Sequence, residues 1–273
     1  MVTVMEKILV YFDLETTGLS KWSDRIVQIG ATVVLNNGNE NITVMEFETF
    51  VNPDKKIHVS ASAKTGIYDK DVVKAPSTKQ ALNDFFEKLK SVKTKYPNTP
   101  ILMVAYNGIQ FDFPILFCEL IRNNMAVYLL MDNCGVVGFL DPLLWAKREL
   151  DTTCLIRRSN GSCSYKLSDV YIALTGTPLN NAHTALADTR GLKKICCHSK
   201  FGSMALSCEL VPTTNYFLPT EYCIKSFMVK KKEFETGKNK NRKRNIRSLF
   251  ECSRLCGSSP PNHTAGLEKK QRS

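Results

Sequence analysis

The sequence predicts an α/β fold in which helices flank a mixed central sheet. Two observations point to it: three apolar runs rich in β-branched residues come first, and segments with helical and strand patterns then alternate. Consecutive strands joined by turns are typical of antiparallel pairs, whereas strands separated by helices are typical of parallel pairs. A sheet that contains both kinds of pair is therefore expected, and not an all-parallel one.

The first strands are predicted to form a meander. Residues 8–12 are typical of a buried strand, and residues 25–35 and 41–51 follow as two more, with a turn at 36–39 between them. A helix is predicted to begin at Ser77, where apolar residues recur at spacings of three and four opposite a polar face. That helix should cover one face of the sheet.

The later elements are predicted from shorter signals. Asp141 followed by Pro142 is a favourable N-cap and first-turn pair, so a helix is expected to begin there. The remaining elements are expected as a strand at 101–105, a helix at 113–123, the end of a strand at 138–140, and helices near 166–174 and 184–200. The strand at 101–105 is too apolar for an exposed sheet edge, so any dimer contact is expected elsewhere.

Beyond residue 200 the pattern of a folded domain fades. Of the chain's net charge of +11, residues 201–273 contribute +8, which favours an anionic partner such as nucleic acid or a membrane surface. Residues 1–200 are assigned to one domain and residues 201–273 to a basic, Cys-containing and largely disordered extension. Residues 238–247, KNKNRKRNIR, fit a nuclear import signal, an arm that binds nucleic acid, or a solvated linker.

The cysteines and the N-terminal residues bear on the compartment. The ten cysteines are spread along the chain, and MVTVMEKILVYFD does not have the layout of a signal peptide. We therefore expect reduced thiols in an intracellular protein, nuclear or cytoplasmic and not secreted. No window reaches about 18 uninterrupted apolar residues, so no membrane association is expected.

Asp13 and Glu15 stand at the end of the first strand, in YFDLETTGLS. A spacing of two points both side chains to the same side of a strand. Two buried carboxylates repel each other, and a divalent cation with oxygen ligands holds both of them ionised. The alternative, a solvated acidic strand end, is disfavoured because the apolar run before Asp13 is typical of a central strand.

Two further positions add acidic groups. Asp112 follows a buried strand and a glycine-containing loop, where a helix cap and a metal ligand fit equally well. His183 and Asp188, in NNAHTALADTR, would lie roughly 140° apart if both were helical, at about 100° per residue. They converge only if His183 lies on the loop before the helix, as Pro178 and the neighbouring asparagines predict.

Together these residues resemble the signature of the DEDDh 3′→5′ exonucleases: D-x-E, then N-G-x-x-F-D, then H-x-x-x-x-D. The segments FDLETTGLS, AYNGIQFDFPILFCEL and SYKLSDVYIALTGTPLNNAHTALADTRGL are similar to those of the three-prime repair exonucleases. The resemblance covers residues 6 to about 200. It implies a ribonuclease-H-like fold, in agreement with the predicted mixed α/β sheet.

The resemblance also implies a mechanism, namely hydrolysis of phosphodiester bonds with two Mg²⁺ ions, for which Mn²⁺ can substitute. The implied metal ligands are Asp13, Glu15, Asp112 and Asp188. His183 is the implied general base for the attacking water, a role that imidazole suits.

Substrate contacts are implied in the same way, at Thr17, Gly18, Leu19, Ile67 and Asn107. Leu19 would wedge against the terminal base and Ile67 would make a second apolar contact, with ordinary loop packing as the alternative for both. Asp141 matches a recurrent acidic position of the family, for which a helix cap is the preferred interpretation. Tyr106 departs from the family, whose members usually have His before the Asn.

The expected function is a metal-dependent 3′→5′ exodeoxyribonuclease that releases nucleoside monophosphates from DNA, with single-stranded or frayed 3′ ends preferred. Two alternatives stay open: an exoribonuclease of the same mechanism, and a non-catalytic module that binds nucleic acid or accompanies a polymerase. The complete set of five catalytic residues disfavours the non-catalytic module. A homodimer is implied by the resemblance alone.

Overall fold

One five-stranded sheet lies at the centre of the computed structural model, which describes residues 6–125, 130 and 133–199. Its strands are β1 (Lys7–Thr16), β2 (Ile26–Asn36), β3 (Asn41–Phe50), β4 (Ile101–Val104) and β5 (Val136–Leu140). Their order across the sheet is β3-β2-β1-β4-β5. The pairs β1–β2 and β2–β3 are antiparallel, and β1–β4 and β4–β5 are parallel. The predicted meander and the mixed sheet are confirmed.

The central position of β1 follows from its sequence. Residues 8–12 are inaccessible to solvent, as a strand with neighbours on both sides and helices on both faces requires. Strand β4 is equally apolar and lies between β1 and β5, so the prediction that it is not a sheet edge is confirmed. Among the described strands, β3 and β5 form the two edges of the sheet.

The helices of the described residues are α1 (Val59–Thr65), α2 (Asp69–Val72), α3 (Thr78–Lys95), α4 (Asp112–Arg122), α5 (Pro142–Glu149), α6 (Leu167–Thr175) and α7 (Ala185–Cys196). The Ser77 hydroxyl accepts a hydrogen bond from the N–H of Gln80 and caps α3 as predicted. Two details differ from the sequence prediction. The short helices α1 and α2 were not expected, and α7 ends at Cys196, before the predicted limit near residue 200.

Helices cover both faces of the sheet. On one face, Phe85 of α3 stacks on Phe12 of β1 with ring centroids 5.5 Å apart, and Phe47 of β3 completes this contact. On the other face, a buried cluster joins Leu9 and Tyr11 to residues of α5, α6 and α7. The arrangement is the helix–sheet–helix layering that the sequence predicts.

Helix α7 docks onto β2 through alternate residues of one strand face. The side-chain oxygen of Gln28 accepts a hydrogen bond from the N–H of Ala185 at 3.0 Å, and the hydroxyls of Thr32 and Thr189 lie 2.8 Å apart. Between them is Gly30, where an added Cβ would lie 2.3 Å from the carbonyl carbon of Ala185. A side chain at position 30 would therefore push the start of α7 away from the sheet.

Two predictions concern membranes and the C-terminal part of the chain. Among the described residues, no helix combines the length and the apolar character that crossing a bilayer requires. The predicted basic extension, residues 201–273, with its cluster at 238–247, lies outside the described residues.

Candidate active site

Asp13 and Glu15 lie near the end of β1, and the burial pattern confirms that they share one side of the strand. Phe12, Leu14 and Thr16 are buried, whereas the two acids between them are partly accessible and line a cleft. The period of two in a strand is the cause of this alternation. β1 therefore presents two carboxylates to the same space.

Asp112 is the first residue of α4 and is 3 % exposed. Its Oδ1 accepts a hydrogen bond from the N–H of Leu14, at 3.0 Å. The N-cap position of α4 belongs to Phe111, which makes no side-chain cap. The carboxylate thus ties the start of α4 to β1 between Asp13 and Glu15. The structure favours the site interpretation of Asp112 over the helix cap.

His183 lies on the loop before α7, as predicted, because the helix begins only at Ala185. Its φ of 72° is in the left-handed region, which is uncommon for a residue other than glycine. The N–H of His183 donates to Asp188 Oδ1 at 3.2 Å and holds this conformation. His183, Asp188 and Glu15 each offer one ligand atom, and these three atoms lie within 4.8 Å of one another.

No positive charge among residues 6–125, 130 and 133–199 outweighs the effects that raise the pKa values of the cleft carboxylates. Burial and then the charges of Asp112, Glu15 and Asp188 raise the pKa of Asp13 well above its usual range. Burial and Asp188 raise the pKa of Glu15 to about 8. Burial also raises the pKa of Asp112, to about 7, and that of Asp188. Lys64 acts in the opposite direction on Asp13, Glu15 and Asp188 but does not offset these shifts.

This donor set fits divalent cations. Carboxylate oxygens are the ligands that hard cations such as Mg²⁺ and Mn²⁺ prefer, and imidazole is a further ligand for Mn²⁺ and other transition ions. A bound cation would offset the burial that raises the four pKa values, and also the repulsion that adds to it at Asp13, Glu15 and Asp112. The raised pKa values thus reflect how costly it is to ionise these buried carboxylates, and the implied metal ions would balance that negative charge.

The carboxylates lie in a cleft of about 1400 Å³, larger than the ~300–1,000 Å³ typical of small-molecule sites. Of the five predicted substrate contacts, Gly18, Leu19 and Asn107 line this cleft. Leu19 is 82 % exposed there, which is unusual for a large apolar side chain and leaves it available for an apolar contact.

The other two predicted contacts are not brought to the cleft. Thr17 is fully buried, and its hydroxyl donates to Asp24 Oδ1 at 3.0 Å. Ile67 is 4 % exposed and packs in a separate small cluster with Val27, Ile57 and Val72. For Ile67 the structure therefore supports ordinary packing, since its side chain is covered by these three apolar neighbours.

Asp24 supports the loop that carries Gly18 and Leu19. Burial opposes ionisation of Asp24, but hydrogen bonds from Lys55, Ser20 and Thr17 outweigh it and lower the pKa. An added Cβ at Gly18 would lie 2.5 Å from Asp24 Oδ2, so the close fit of the loop over this carboxylate requires glycine.

Asp141 holds the loop that contains Asn107, on another wall of the cleft. Its carboxylate accepts from the N–H of Leu143 at 3.0 Å, which confirms the predicted cap of α5. It also accepts from the N–H groups of Asn107 at 2.8 Å and Ile109 at 3.2 Å. Asn107 has a φ of 62°, and these bonds hold it in that conformation at the cleft.

Several cleft residues were missed from the sequence. Four are basic: Lys64 on α1, Lys147 on α5, and Arg158 and Lys166 from the segment before α6. Tyr106, noted from the sequence only as a departure from the family, donates its hydroxyl to the carbonyl of Tyr165 at 2.9 Å and links the end of β4 to that segment. The short helix α1 has no clear periodicity, so the sequence carried no signal for Lys64.

Comparison with known proteins bears on the family of the chain and on its fold. The RNase_T exonuclease family model matches residues 10–196. Three-prime repair exonuclease 1 of Homo sapiens is 25% identical over 203 residues, which cover 69% of this chain and 62% of that protein. The DNA polymerase III PolC-type of Caldanaerobacter subterraneus subsp. tengcongensis is 41% identical over 108 residues, or 40% of this chain and 7% of the polymerase.

Solved structures agree on the fold. E. coli Exonuclease I in complex with a dT13 oligonucleotide superposes with a TM-score of 0.56 at 20% sequence identity, covering 70% of this chain and 41% of that one. The chain thus spans less than two thirds of the length of each of these three proteins.

Proposed function

Because the chain belongs to the RNase T exonuclease family, within the DEDDh superfamily of 3′→5′ exonucleases, we propose that it is a metal-dependent 3′→5′ exodeoxyribonuclease. It would release nucleoside monophosphates from DNA, with single-stranded or frayed 3′ ends preferred. The observation that carries the proposal is the convergence of Glu15, His183 and Asp188, whose ligand atoms lie within 4.8 Å of one another, in a cleft that Asp13 and Asp112 also line.

The carboxylates are the proposed ligands of two Mg²⁺ ions, or of Mn²⁺ in their place. When bound, such ions lower the pKa of a coordinated water and stabilise the charge that develops on the leaving oxygen. The residues that would hold them are Asp13, Glu15, Asp112 and Asp188. The hydrogen bond from Leu14 to Asp112 keeps this carboxylate turned toward β1, which carries the proposed ligands Asp13 and Glu15.

His183 is the proposed general base. A ring nitrogen of His183 lies within 4.8 Å of carboxylate oxygens of Glu15 and Asp188, close enough to reach a water held between them. The bond from its own N–H to Asp188 fixes the backbone from which the ring projects. His183 would take the proton from the attacking water while the carboxylates stay ionised.

DNA is the proposed substrate. The relatives support this choice because their names describe DNA polymerases and a three-prime repair exonuclease, and Exonuclease I was solved with a dT13 oligonucleotide. In this chain, Leu19 is exposed in the cleft for an apolar contact with a base, which does not depend on the base sequence. The basic side chains of the cleft suit the phosphates of a single strand.

Degradation of a 5′-labelled single-stranded DNA oligomer tests the proposal, with the RNA oligomer of the same sequence in parallel. The expected result is a ladder of DNA products in Mg²⁺ that disappears in EDTA and in Asp188→Asn. The matched control is Asp84→Asn on the exposed face of α3, which should leave the ladder unchanged.

Other outcomes point to the alternatives. Preferential degradation of RNA would replace the proposal with an exoribonuclease of the same mechanism. Binding of either oligomer without cleavage, in Mg²⁺ and in Mn²⁺, would replace it with a non-catalytic nucleic-acid-binding module.

The proposal extends to the context of the activity. We place it inside the cell, in the nucleus or the cytoplasm, with a homodimer as the proposed assembly. Fractionation of cells that produce the tagged chain tests the first point, and light scattering after size-exclusion chromatography tests the second. The domain division at residue 200 stays a prediction, which limited proteolysis would check.

A further inference from the structure

Lys64 is a cleft residue that the proposed mechanism does not yet use. It lies in the last turn of α1, is exposed, and lines the cleft together with Asp13, Glu15 and Asp188. Its positive charge lowers the pKa of each of these three acids, against the larger effect of burial. Lys64 therefore shares the cleft with the proposed metal ligands.

The backbone of Lys64 is held in place by the loop that follows β1. The N–H of His58, just before α1, donates to the carbonyl of Thr17 at 3.0 Å. At the other end of α1, Gly66 takes a left-handed conformation with a φ of 73° and its N–H donates to the carbonyl of Ser62 at 2.9 Å. Helix α1 is thus fixed relative to the loop of Gly18 and Leu19.

The side chain of Lys64, by contrast, is not committed to a partner at short range. Within residues 6–125, 130 and 133–199, no ion pair of 4.0 Å or less includes Lys64. The neighbouring Lys55 differs, since its ammonium contacts Asp24 Oδ1 at 2.7 Å and supports the loop. Lys64 keeps its three donors available for a ligand in the cleft.

The other basic residues of the cleft act elsewhere. Lys147 lowers the pKa of Asp141, which holds the Asn107 loop, and Arg158 and Lys166 come from the segment before α6. They suit phosphates along the strand. Lys64 differs because it lies on α1, which is hydrogen-bonded to Thr17, two residues after Glu15 in the chain.

We propose that Lys64 binds the phosphate group whose ester bond is cleaved, an inference that rests on the proposed exonuclease function. The two proposed Mg²⁺ ions balance the charge of the four carboxylates, so the negative charge of an entering phosphodiester is left for a further cation. Lysine is a compact cation suited to phosphate. Negative charge on the phosphoryl oxygens is redistributed during cleavage, so a cation fixed beside them also favours the transition state. Lys64 thereby becomes a substrate-contacting residue of the site.

Two variants and a matched control test this proposal. Lys64→Met removes the charge and keeps much of the length, Lys64→Arg keeps the charge, and Lys79→Met removes one exposed charge from the first turn of α3, away from the cleft-lining residues. At saturating Mg²⁺, kcat/KM on single-stranded DNA should fall about 10- to 100-fold in Lys64→Met, the effect of a lost charged hydrogen bond. Lys64→Arg should retain most activity, and Lys79→Met all of it.

A binding measurement separates phosphate contact from other effects. Isothermal titration of the metal-loaded full chain with thymidine 5′-monophosphate should show about 10-fold weaker binding in Lys64→Met, whereas titration with thymidine should not distinguish the variants. A loss of affinity for both ligands would overturn the proposal, because it would indicate a distorted cleft.

The same variants expose the contrary result, in which Lys64 acts on the carboxylates alone. In that case Lys64→Met would lower the Mg²⁺ concentration at half-maximal thermal stabilisation and leave kcat/KM at saturating Mg²⁺ equal to that of Lys79→Met, which overturns the proposal. Failure of the exonuclease function is recognised separately, by absence of cleavage in the wild type. In that event, the titrations with thymidine 5′-monophosphate and with thymidine still decide whether Lys64 contacts a phosphate group.

Discussion

The two ends of helix α4 each bury a carboxylate, and their surroundings differ in charge. Near the C-terminal end, Glu119 is fully buried and its oxygens contact Arg122 at 2.8 Å and Arg25 at 3.4 Å. At the N-terminal end, Asp112 faces other acids, and burial raises its pKa to about 7. An acid that the chain neutralises holds the fold together, whereas an acid that the chain leaves unneutralised is suited to bind a cation from solution.

Removal of the charge at the N-terminal end should have the largest effect on activity. Asp112→Asn keeps an acceptor for the N–H of Leu14 but loses a proposed metal ligand. We expect kcat/KM to fall roughly 10³-fold, the scale of several kcal/mol of lost charge stabilisation. The melting temperature of the metal-free protein should stay equal or rise, because repulsion among the acids decreases. If the melting temperature of Asp112→Asn falls together with its activity, Asp112 stabilises the fold as Glu119 does, and the contrast between the two ends of α4 is wrong.

Removal of the charge at the C-terminal end should affect stability and not metal dependence. Glu119→Gln leaves Arg122, which also donates to the carbonyls of Lys21 and Asp24, without its buried counter-ion. Chemical denaturation should show a loss of about 3–5 kcal/mol, the cost of breaking a buried ion pair. The control is Glu87→Gln on α3, whose pair with Lys90 is exposed and should contribute about 0–1 kcal/mol. The folded Glu119→Gln protein should need the same Mg²⁺ concentration for cleavage as the wild type.

The pH dependence of stability sharpens the same contrast. The folded-state pKa of Glu15 is raised to about 8 and that of Asp112 to about 7. In the metal-free protein these two groups therefore bind more protons when folded than when unfolded. Their contribution to stability is fully present below their unfolded pKa values, about 4, and is lost as pH rises through the folded pKa values. Thermal melts should show that Mg²⁺ stabilises the protein more at pH 8 than at pH 5. Equal stabilisation at both pH values would indicate that these acids are not its ligands.

The smallest effect is expected for an acid that is neither buried nor catalytic. Arg190 on α7 and Glu46 on β3 form a two-point contact at 2.8 and 2.6 Å, with the arginine side chain 56 % exposed. Glu46→Gln should cost about 0–1 kcal/mol and leave nuclease activity unchanged. In chemical denaturation, the difference in unfolding free energy between the wild type and Glu46→Gln should be smaller at high salt than at low salt, because salt screens exposed charges.

Local periodicity made part of the site predictable. The period of two in β1 was enough to place Asp13 and Glu15 together, and the geometry of a helix was enough to require His183 on a loop. The role of Asp112 was not decidable from its position, because a cap and a ligand look alike at a helix start. The bond from Leu14, which is distant in sequence, places its carboxylate beside β1, and its role as a metal ligand stays a prediction.

Long-range packing accounts for what the sequence did not reveal. Ile67 was expected at the cleft but is covered by Val27, Ile57 and Val72, a contact that depends on how separate segments fold together. Lys64 was missed because α1 has only seven residues and no apolar stripe from which a helix could be recognised. The fold was predicted more completely than the cleft, since patterns within a segment determine strands and helices whereas the cleft walls join many segments.

The close approach of Gly30 to Ala185 determines when, during synthesis of the chain, the proposed active site can be completed. β1 and β2 emerge early in synthesis, but His183 and Asp188 reach Glu15 only when α7, the last described helix, settles on β2 over Gly30. A nascent chain that lacks α7 holds Asp13, Glu15 and Asp112 without the proposed base or the fourth carboxylate. The site proposed to cleave DNA is therefore complete only after α7 has been synthesised and has packed on β2.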